Sequence, residues 1–208
     1  MEEDQSFPEV KIKFLIIILT LLFTSKSYCE KIVLKKIVEL DSPWGSSFIS
    51  NNEIIVTEKS GRIKIVDISS KEIQEVAHQL DFVVHGQGGL LDIIYKDNNV
   101  WISYTEDRGN YKTSTSIARA ELNKKKLDFK NIFQANPPID SGYHFGSRLA
   151  IKDNYIYASA GERGQGMIAQ DASKHPGSII RVHLDGSIPK DNPKFEGKSD
   201  WLPEIYQI

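Results

Sequence analysis

Short runs of alternating apolar and polar residues, separated by polar turns, fill the chain from residue 32 onwards. The runs are rich in Ile, Val, Tyr and Trp and end at Asn, Asp, Gly, Ser or Pro, a pattern typical of β-strands. No long segment shows a persuasive helical period; segment 70–80 comes nearest and is predicted as a strand or a short turn. The predicted strands are 32–40, 45–50, 53–58, 62–68, 89–95, 100–105, 115–122, 147–151, 155–159 and 178–184.

The predicted strands recur as a unit that opens with small residues, and successive units begin near residues 44, 88 and 145. A repeat of about 40–50 residues built from four strands is typical of a β-propeller blade. Glycine suits the start of an innermost strand, because these strands crowd toward the central channel. The pattern predicts an all-β propeller of about three blades, with segment 201–208 as a linker and the first strand of a fourth blade. Since a propeller closes its ring to bury its blade faces, we expect residues 30–208 to be an incomplete propeller domain.

The N-terminal segment follows a different pattern. Residues 14–23 (FLIIILTLLF) are apolar apart from one threonine, with lysines before them and small residues after them up to Cys29. This arrangement predicts a secretory signal peptide over residues 1–29, and therefore a periplasmic or secreted protein. The apolar run is shorter than the roughly 20 residues of a membrane-spanning helix. An uncleaved N-terminal segment, which would be the protein's sole membrane contact, is the alternative interpretation.

The acidic residues at the extreme N-terminus do not fit a signal peptide, whose first region is basic. We therefore expect residues 1–9 to be a wrongly assigned extension and Val10 to be the true start. Cys29 is the only cysteine of the sequence. Cleavage after it leaves a mature chain that enters an oxidising compartment without disulfides, so that its stability depends on its core.

The composition is that of an ordinary globular protein. Of 208 residues, 40% are hydrophobic and 26% are charged, and the formal net charge is −2. Because the chain has neither a basic excess nor a stripe of Lys and Arg, it lacks the signature of a nucleic-acid-binding protein. No nucleic-acid partner is expected.

One segment, residues 142–166, combines a histidine and a glutamate with two predicted strands. His144 precedes strand 147–151, a polar turn follows, and Glu162 comes after strand 155–159. If the two strands form a hairpin, their outer ends lie side by side and His144 meets Glu162 at one rim of the sheet. An imidazole oriented by a carboxylate is a simple general base. A histidine before a strand is also a common loop residue, and the pattern alone leaves that interpretation open.

Other polar residues carry weaker signals. Gln87 lies in a glycine-rich loop, where a turn residue is the simple interpretation. His85, His175 and His183 lack metal-ligand spacing, so surface or loop positions are expected for them, and no metal site is predicted from the residues of this chain. The glycines within 161–166 are followed by no apolar helix, which excludes a dinucleotide-binding loop.

Several motifs, taken in order and spacing, carry a family resemblance. They are GQGGLLDI (86–93), HFGSRL (144–149), AGERG (160–164), AQDASKHPGSIIRVHLDGSIPKDNP (169–193) and PEIYQI (203–208). Over residues 33–208 the chain resembles the soluble aldose sugar dehydrogenases that depend on pyrroloquinoline quinone (PQQ), the glucose/sorbosone dehydrogenase family. No single motif is specific, but the ordered set is.

The resemblance implies a six-bladed β-propeller, exported to the periplasm, that binds PQQ and Ca²⁺ and oxidises the anomeric hydroxyl of an aldose sugar to a lactone. His144 falls on the family's catalytic base, which takes the hydroxyl proton while the hydride passes to the quinone. Glu162 falls on the carboxylate that pairs with this base, and Gln87 on a residue that hydrogen-bonds the sugar. The residues that hold PQQ and Ca²⁺, and an Arg-Asn pair, are implied to lie beyond Ile208. The soluble electron acceptor is not specified.

Two alternatives to the enzyme stay open. The first is a non-catalytic propeller that binds carbohydrate or protein through its channel loops, and the second is an inactive product of an incomplete gene. A binding propeller would bind sugar without PQQ, and replacement of His144 would leave that binding unchanged.

Overall fold

The computed structural model of the protein describes residues 32–208 apart from 195, 196, 198 and 199. The chain divides into two compact units, residues 1–36 and 37–208. The described part of the first unit, residues 32–36, has no regular secondary structure. The predicted signal peptide over residues 1–29 lies outside the described residues. No helix in the described ranges is long and apolar enough to cross a membrane.

The second unit is built almost entirely of β-strands. In chain order they are β1 (Pro43–Phe48), β2 (Glu53–Glu58), β3 (Ile63–Asp67), β4 (Ile73–His78), β5 (Leu90–Lys96), β6 (Asn99–Asp107), β7 (Thr113–Glu121), β8 (Lys126–Leu127), β9 (Lys130–Gln134), β10 (Gly146–Lys152), β11 (Tyr155–Ala160), β12 (Ile179–His183) and β13 (Ile205–Gln207). A short 3₁₀ helix, Gly166–Gln170, lies between β11 and β12.

The strands form three sheets. The first contains β1 to β4, the second β5, β6, β7 and β9, and the third β10 to β13, and within each of these groups neighbouring strands are antiparallel. Four-stranded up-and-down sheets that pack face to face are the blades of a β-propeller. The prediction of an all-β protein with about three blades is confirmed.

Strand β8 does not belong to the sheet of its neighbours in the chain. It lies in the connection between β7 and β9 of the second sheet, yet it pairs parallel with β4 and becomes the fifth strand of the first sheet. The Ala77 N–H donates to the Lys125 carbonyl at 3.2 Å, and Gln74 Nε2 donates to the Lys124 carbonyl at 2.7 Å. The Lys124 ammonium also lies 2.6 Å from a carboxylate oxygen of Glu53. The edge of the first sheet is therefore covered by a segment that belongs to the second.

Two predicted strands are corrected by the structure. Residues 32–42 contain no strand; Ile32, Val33 and Leu34 are exposed, and without a partner strand their backbone groups gain nothing from an extended ladder. Segment 201–208 supplies β13, which pairs antiparallel with β12 as the fourth strand of the third sheet rather than beginning a fourth blade. A local pattern indicates that a segment is extended, but it does not say which sheet accepts it.

Hydrophobic side chains fill the space between successive sheets. On β6, Ile102 and Tyr104 pack in a cluster with β2 and β3 of the first sheet, whereas Trp101 packs in a second cluster with β11 and β12 of the third. Because side chains alternate between the faces of a strand, a strand covered on both sides is buried along most of its length. The Trp101 indole N–H is satisfied by the Leu184 carbonyl at 2.9 Å. The second sheet is thus the packed middle layer.

The first strands of the sheets, β1, β5 and β10, pack beside one another. A Cβ on Gly45 would lie 2.7 Å from the Asp92 Cα and from the Ile93 backbone nitrogen of β5, closer than side-chain carbons approach backbone. The expected crowding of the innermost strands is therefore the reason for glycine at this position. The loops that precede β5 and β10 also meet, since the Gln87 N–H donates to the Gly142 carbonyl at 2.7 Å.

Candidate active site

Strands β10 and β11 form the hairpin that the alternating pattern predicts. Gly146 pairs with Ala160 at the open end of the hairpin. His144 lies just before β10 and Glu162 just after β11, so the two side chains meet, and the His144 Nδ1 is hydrogen-bonded to the Glu162 Oε1. The predicted meeting of this histidine and carboxylate at one rim of the sheet is confirmed.

The pair is open to solvent, with 54% of the His144 side chain and 29% of the Glu162 side chain exposed. The hydrogen bond from His144 lowers the pKa of the Glu162 carboxyl below its ordinary value, against the smaller opposing effect of partial burial. Because an ionised carboxylate only accepts hydrogen bonds, the Nδ1 of His144 must donate. The neutral imidazole then carries its lone pair on Nε2, and within the described part of the chain no hydrogen-bond partner occupies that nitrogen.

Gln87 joins the pair from the second sheet. Its side-chain Oε1 accepts a hydrogen bond from the His144 backbone N–H at 2.9 Å, across 57 residues of sequence. The side chain is exposed, and since its oxygen is used by His144, the amide NH₂ group is the part that a ligand can reach. The structure therefore brings all three predicted site residues together.

Two glycines allow the loops of the site to approach closely. Gly86 has a φ of +57°, and a Cβ there would lie 2.3 Å from the Gly142 carbonyl oxygen. A Cβ on Gly161 would lie 1.9 Å from the carbonyl oxygen of His144 itself. A side chain at either position would therefore displace the loop that bears His144, because the atom it meets belongs to the backbone and not to the end of a flexible side chain.

A residue that the sequence pattern does not single out contributes to the same site. Arg163 follows Glu162 directly and is only 3% exposed. Its guanidinium donates to Thr113, Ser141 and Tyr143, of which Thr113 is 50 residues away. Arg163 lies inside the AGERG motif, yet a local pattern could not reveal partners at that distance.

Three further histidines, for which the sequence predicts surface or loop positions, take no part in this arrangement. His183 pairs with Tyr155, at the opposite end of the third sheet from Glu162. His175, expected at a surface or loop position, lies in a loop but is buried, 3% exposed, because Asn136 and Glu204 satisfy its ring nitrogens. His85 lines an open cavity of about 660 Å³ together with Asp107 and other residues.

The described residues show no group of three or more His, Cys, Asp or Glu side chains that could hold a metal ion. The chemistry available at the rim is therefore that of its side chains: an exposed imidazole with a free nitrogen, an ionised carboxylate that orients it, and an amide donor. This set suits removal of a proton from a polar ligand such as a hydroxyl compound.

Comparison with known proteins places the chain within a described family. A family model for Glucose / Sorbosone dehydrogenase matches residues 40–208. The chain is 31% identical over 178 residues to an aldose sugar dehydrogenase of Escherichia coli, a match covering 81% of this chain and 48% of that protein. It is 27% identical over 207 residues to quinoprotein glucose dehydrogenase B of Acinetobacter calcoaceticus, covering 83% of this chain and 43% of that protein.

A solved structure agrees with these matches. The crystal structure of the soluble aldose sugar dehydrogenase from Escherichia coli, in its apo-form, is similar with a TM-score of 0.74 and 32% sequence identity. The similarity covers 80% of this chain and 50% of that one. The chain spans about half the length of the curated relatives it matches.

Proposed function

Because the chain belongs to the glucose/sorbosone dehydrogenase family, we propose that it carries part of the active site of a quinoprotein that oxidises the anomeric hydroxyl of an aldose sugar to a lactone. The observation that supports this most is the trio at the rim, in which His144 is held by Glu162 through its ring and by Gln87 through its backbone. The trio lies inside the region that the family model matches.

In this proposal His144 is the general base. Its Nδ1–H is held by Glu162, so the unpartnered Nε2 takes the proton of the anomeric hydroxyl. Glu162 then stabilises the imidazolium that forms, because its carboxylate is ionised when the proton arrives. The NH₂ group of Gln87, whose oxygen is occupied by His144, donates a hydrogen bond to a sugar hydroxyl and orients the ring.

PQQ, when bound, supplies the oxidising chemistry by accepting the hydride from the anomeric carbon. The described residues fit the sugar side of such a reaction, because they offer a proton acceptor and an orienting donor at an open rim. They do not supply a cation site, since they contain no cluster of potential metal ligands. Both PQQ and Ca²⁺ are therefore proposed from the family resemblance, and no residue of this chain is assigned to hold either one.

The predicted signal peptide supports export of the protein to the periplasm or the medium, with residues 30–208 as the propeller domain. That segment lies outside the described residues, so the proposal depends on the sequence pattern alone. N-terminal sequencing of the protein from the exported fraction should find Glu30 as the first residue. An intact acidic N-terminus in the cytoplasmic fraction would contradict it.

The proposed activity is tested with the full-length protein, which means the product of the whole reading frame with any residues encoded after Ile208, loaded with PQQ and Ca²⁺. We expect aldoses to drive reduction of an artificial electron-accepting dye, and omission of PQQ to abolish it. Sugar binding is measured in parallel by calorimetry with and without PQQ. A protein that binds sugar without PQQ and never reduces the dye would be a carbohydrate-binding propeller, which would overturn the proposal.

A further inference from the structure

Arg163 is a buried cation without an anion. It is 3% exposed, and within the described part of the chain no carboxylate lies within ion-pair distance of it. Burial lowers its pKa to about 10, so it still carries its charge at neutral pH. Burial of a charged group is costly unless the group is well hydrogen-bonded. The arrangement around Arg163 shows where its hydrogen bonds are used.

The guanidinium joins two sheets through neutral acceptors. One nitrogen donates to the Thr113 carbonyl at 3.0 Å and another to the Thr113 Oγ1 at 2.8 Å, both at the first residue of β7. On the other side, Nε donates to the Tyr143 carbonyl at 3.0 Å, and Nη2 also donates to the Ser141 carbonyl. Arg163 therefore fastens the backbone on the N-terminal side of His144 to the second sheet.

The same residue also supports the backbone on the other side of His144. Its guanidinium carbon lies 3.7 Å from the centre of the Phe145 ring, and its backbone N–H approaches the His144 carbonyl at 3.4 Å. His144 has a φ of 49°, in the left-handed region that a residue with a side chain rarely adopts. A loop in that conformation needs outside contacts to stay there.

A second buried arginine of the third sheet makes a useful contrast. Arg181 lies over the Tyr155 ring at 4.1 Å, and its Nη2 contacts both carboxylate oxygens of Asp191 at 2.7 Å. The hydrogen bond that Arg181 donates to Asp191 raises the pKa of Arg181. This arginine has an ordinary ion-pair partner and does not contact the loop of His144. Both arginines are nearly inaccessible to solvent, and they differ in the groups that they hold.

We propose that Arg163 is a positioning residue: it holds loop 141–145 in the conformation that presents the His144 imidazole to Glu162 and to the sugar. Glu162 orients the ring, and Arg163, the next residue, fixes the backbone beneath it. This inference rests on the proposed function for its effect on turnover, but its structural part can be measured without turnover.

The test compares R163M with R181M in the full-length protein. Methionine keeps an unbranched apolar side chain over the aromatic ring and removes the hydrogen bonds. In R163M we expect kcat to fall by about 10- to 100-fold, because misplacement of a catalytic group costs rates of this order. We expect KM to change by less than about threefold, because sugar binding does not require an aligned base. R181M should keep the wild-type kcat per folded molecule.

Hydrogen–deuterium exchange provides the readout that does not need activity. The segment 141–146 should exchange faster in R163M than in the wild type, while the rest of the third sheet stays protected, and R181M should leave this segment unchanged. R163K should restore part of the protection and part of kcat, because an ammonium group can reach fewer of the acceptors than the planar guanidinium. R163K also replaces R163M if the latter does not fold.

The outcomes separate the two proposals. If the wild type oxidises no sugar but R163M loosens only segment 141–146, the proposed function fails and the positioning role stands. If R163M keeps wild-type kcat and wild-type exchange in that segment, the positioning role is overturned. Faster exchange throughout the chain, with kcat lost in proportion to unfolded protein, would also overturn it, since that is the result of a general loss of stability.

Discussion

Two histidine–carboxylate pairs lie next to the third sheet, and they differ in whether a ring nitrogen of the histidine stays free for a ligand. In the first, 54% of the His144 side chain is exposed, and Glu162 takes one ring nitrogen. In the second, only 4% of the His175 side chain is exposed. Its Nδ1 accepts from the Asn136 N–H at 2.9 Å, and its Nε2 lies 3.3 Å from Glu204.

The two environments assign the two histidines different tasks. The ring of His175 must keep its proton on Nε2, because Nδ1 already accepts a hydrogen bond, and it packs edge-on against the Phe133 ring at 5.0 Å. No nitrogen remains for a ligand, so this pair ties a loop to the core. A carboxylate partner therefore does not distinguish a catalytic histidine from a structural one; the free second nitrogen does.

The largest difference between the two pairs is expected when each histidine is replaced by glutamine. Loss of a general base costs about 10²–10⁴ in rate, and we expect H144Q to lose this much of its dye-reducing activity. H175Q should retain wild-type turnover per folded molecule, and H183Q, at the far end of the third sheet, serves as a second control. Steady-state kinetics on the PQQ-loaded protein checks this. An H144Q protein with more than about a tenth of wild-type kcat would remove His144 from the proposed role.

The second test neutralises each carboxylate. In E162Q the amide oxygen can still accept the hydrogen bond from Nδ1, but the charge that stabilises the imidazolium is lost. Substitution of a carboxylate that orients a histidine costs about 10- to 100-fold in activity, which is the loss of kcat expected here. E204Q should leave kcat unchanged. Equal effects of the two substitutions on kcat would show that the pairs do not differ in function.

The third test concerns stability. Here we expect the larger effect at the pair of His175 and Glu204 and the smaller effect at the pair of His144 and Glu162. In H175A a buried side chain is removed and the Asn136 N–H loses its acceptor in a part-buried setting, which costs about 1–3 kcal/mol of the free energy of unfolding. H144A removes an exposed side chain and should change that free energy by less than about 0.5 kcal/mol. Urea denaturation of the two variants measures both values. A larger loss for H144A would show that the rim pair also holds the fold together.

The smallest expected effect is in the acid range. The hydrogen bond from His175 lowers the pKa of Glu204, and that from His144 lowers the pKa of Glu162. A carboxyl whose pKa is lower in the folded state stabilises the protein above its unfolded pKa, and this contribution is lost as the pH falls through the folded pKa. As the pH falls below the range in which carboxyl groups usually titrate, the free energy of unfolding should therefore decrease by about 1 kcal/mol or less for each group. E204Q should show a flatter acid limb, and an unchanged limb would contradict the assignment.

Much of the rim geometry follows from local sequence. The alternation of 147–151 and 155–159 about a short polar turn sets the hairpin, and a hairpin brings the residues at its open end together. The contact of Gln87 with His144 spans 57 residues and had no signal in the sequence; the family resemblance indicated Gln87 only as a residue that hydrogen-bonds the sugar. The hydrogen-bond partners of the Arg163 guanidinium lie 20 to 50 residues away, so its role had no local signal.

The fold, like the site, has parts that the local sequence predicts and parts that depend on remote partners. Strands such as Glu53–Glu58 and Tyr155–Ala160 follow from alternation and flanking turns, because each is defined by its own residues. The two-residue strand β8 and the strand β9 lack such a pattern and exist because a neighbouring strand offers hydrogen bonds. Burial of His175 likewise depends on Asn136 and Glu204, which lie 39 and 29 residues away.

The crossover of β8 has a consequence for folding. The first sheet is otherwise local in sequence, with β1 to β4 joined by short turns, and such local contacts form early. Its edge, however, is completed by residues 124–127, which arrive only after β5, β6 and β7 have been synthesised and folded back. We expect the first and second sheets to open as one cooperative unit, in which the Ala77 amide, bonded to Lys125, exchanges at the same rate as amides of β7.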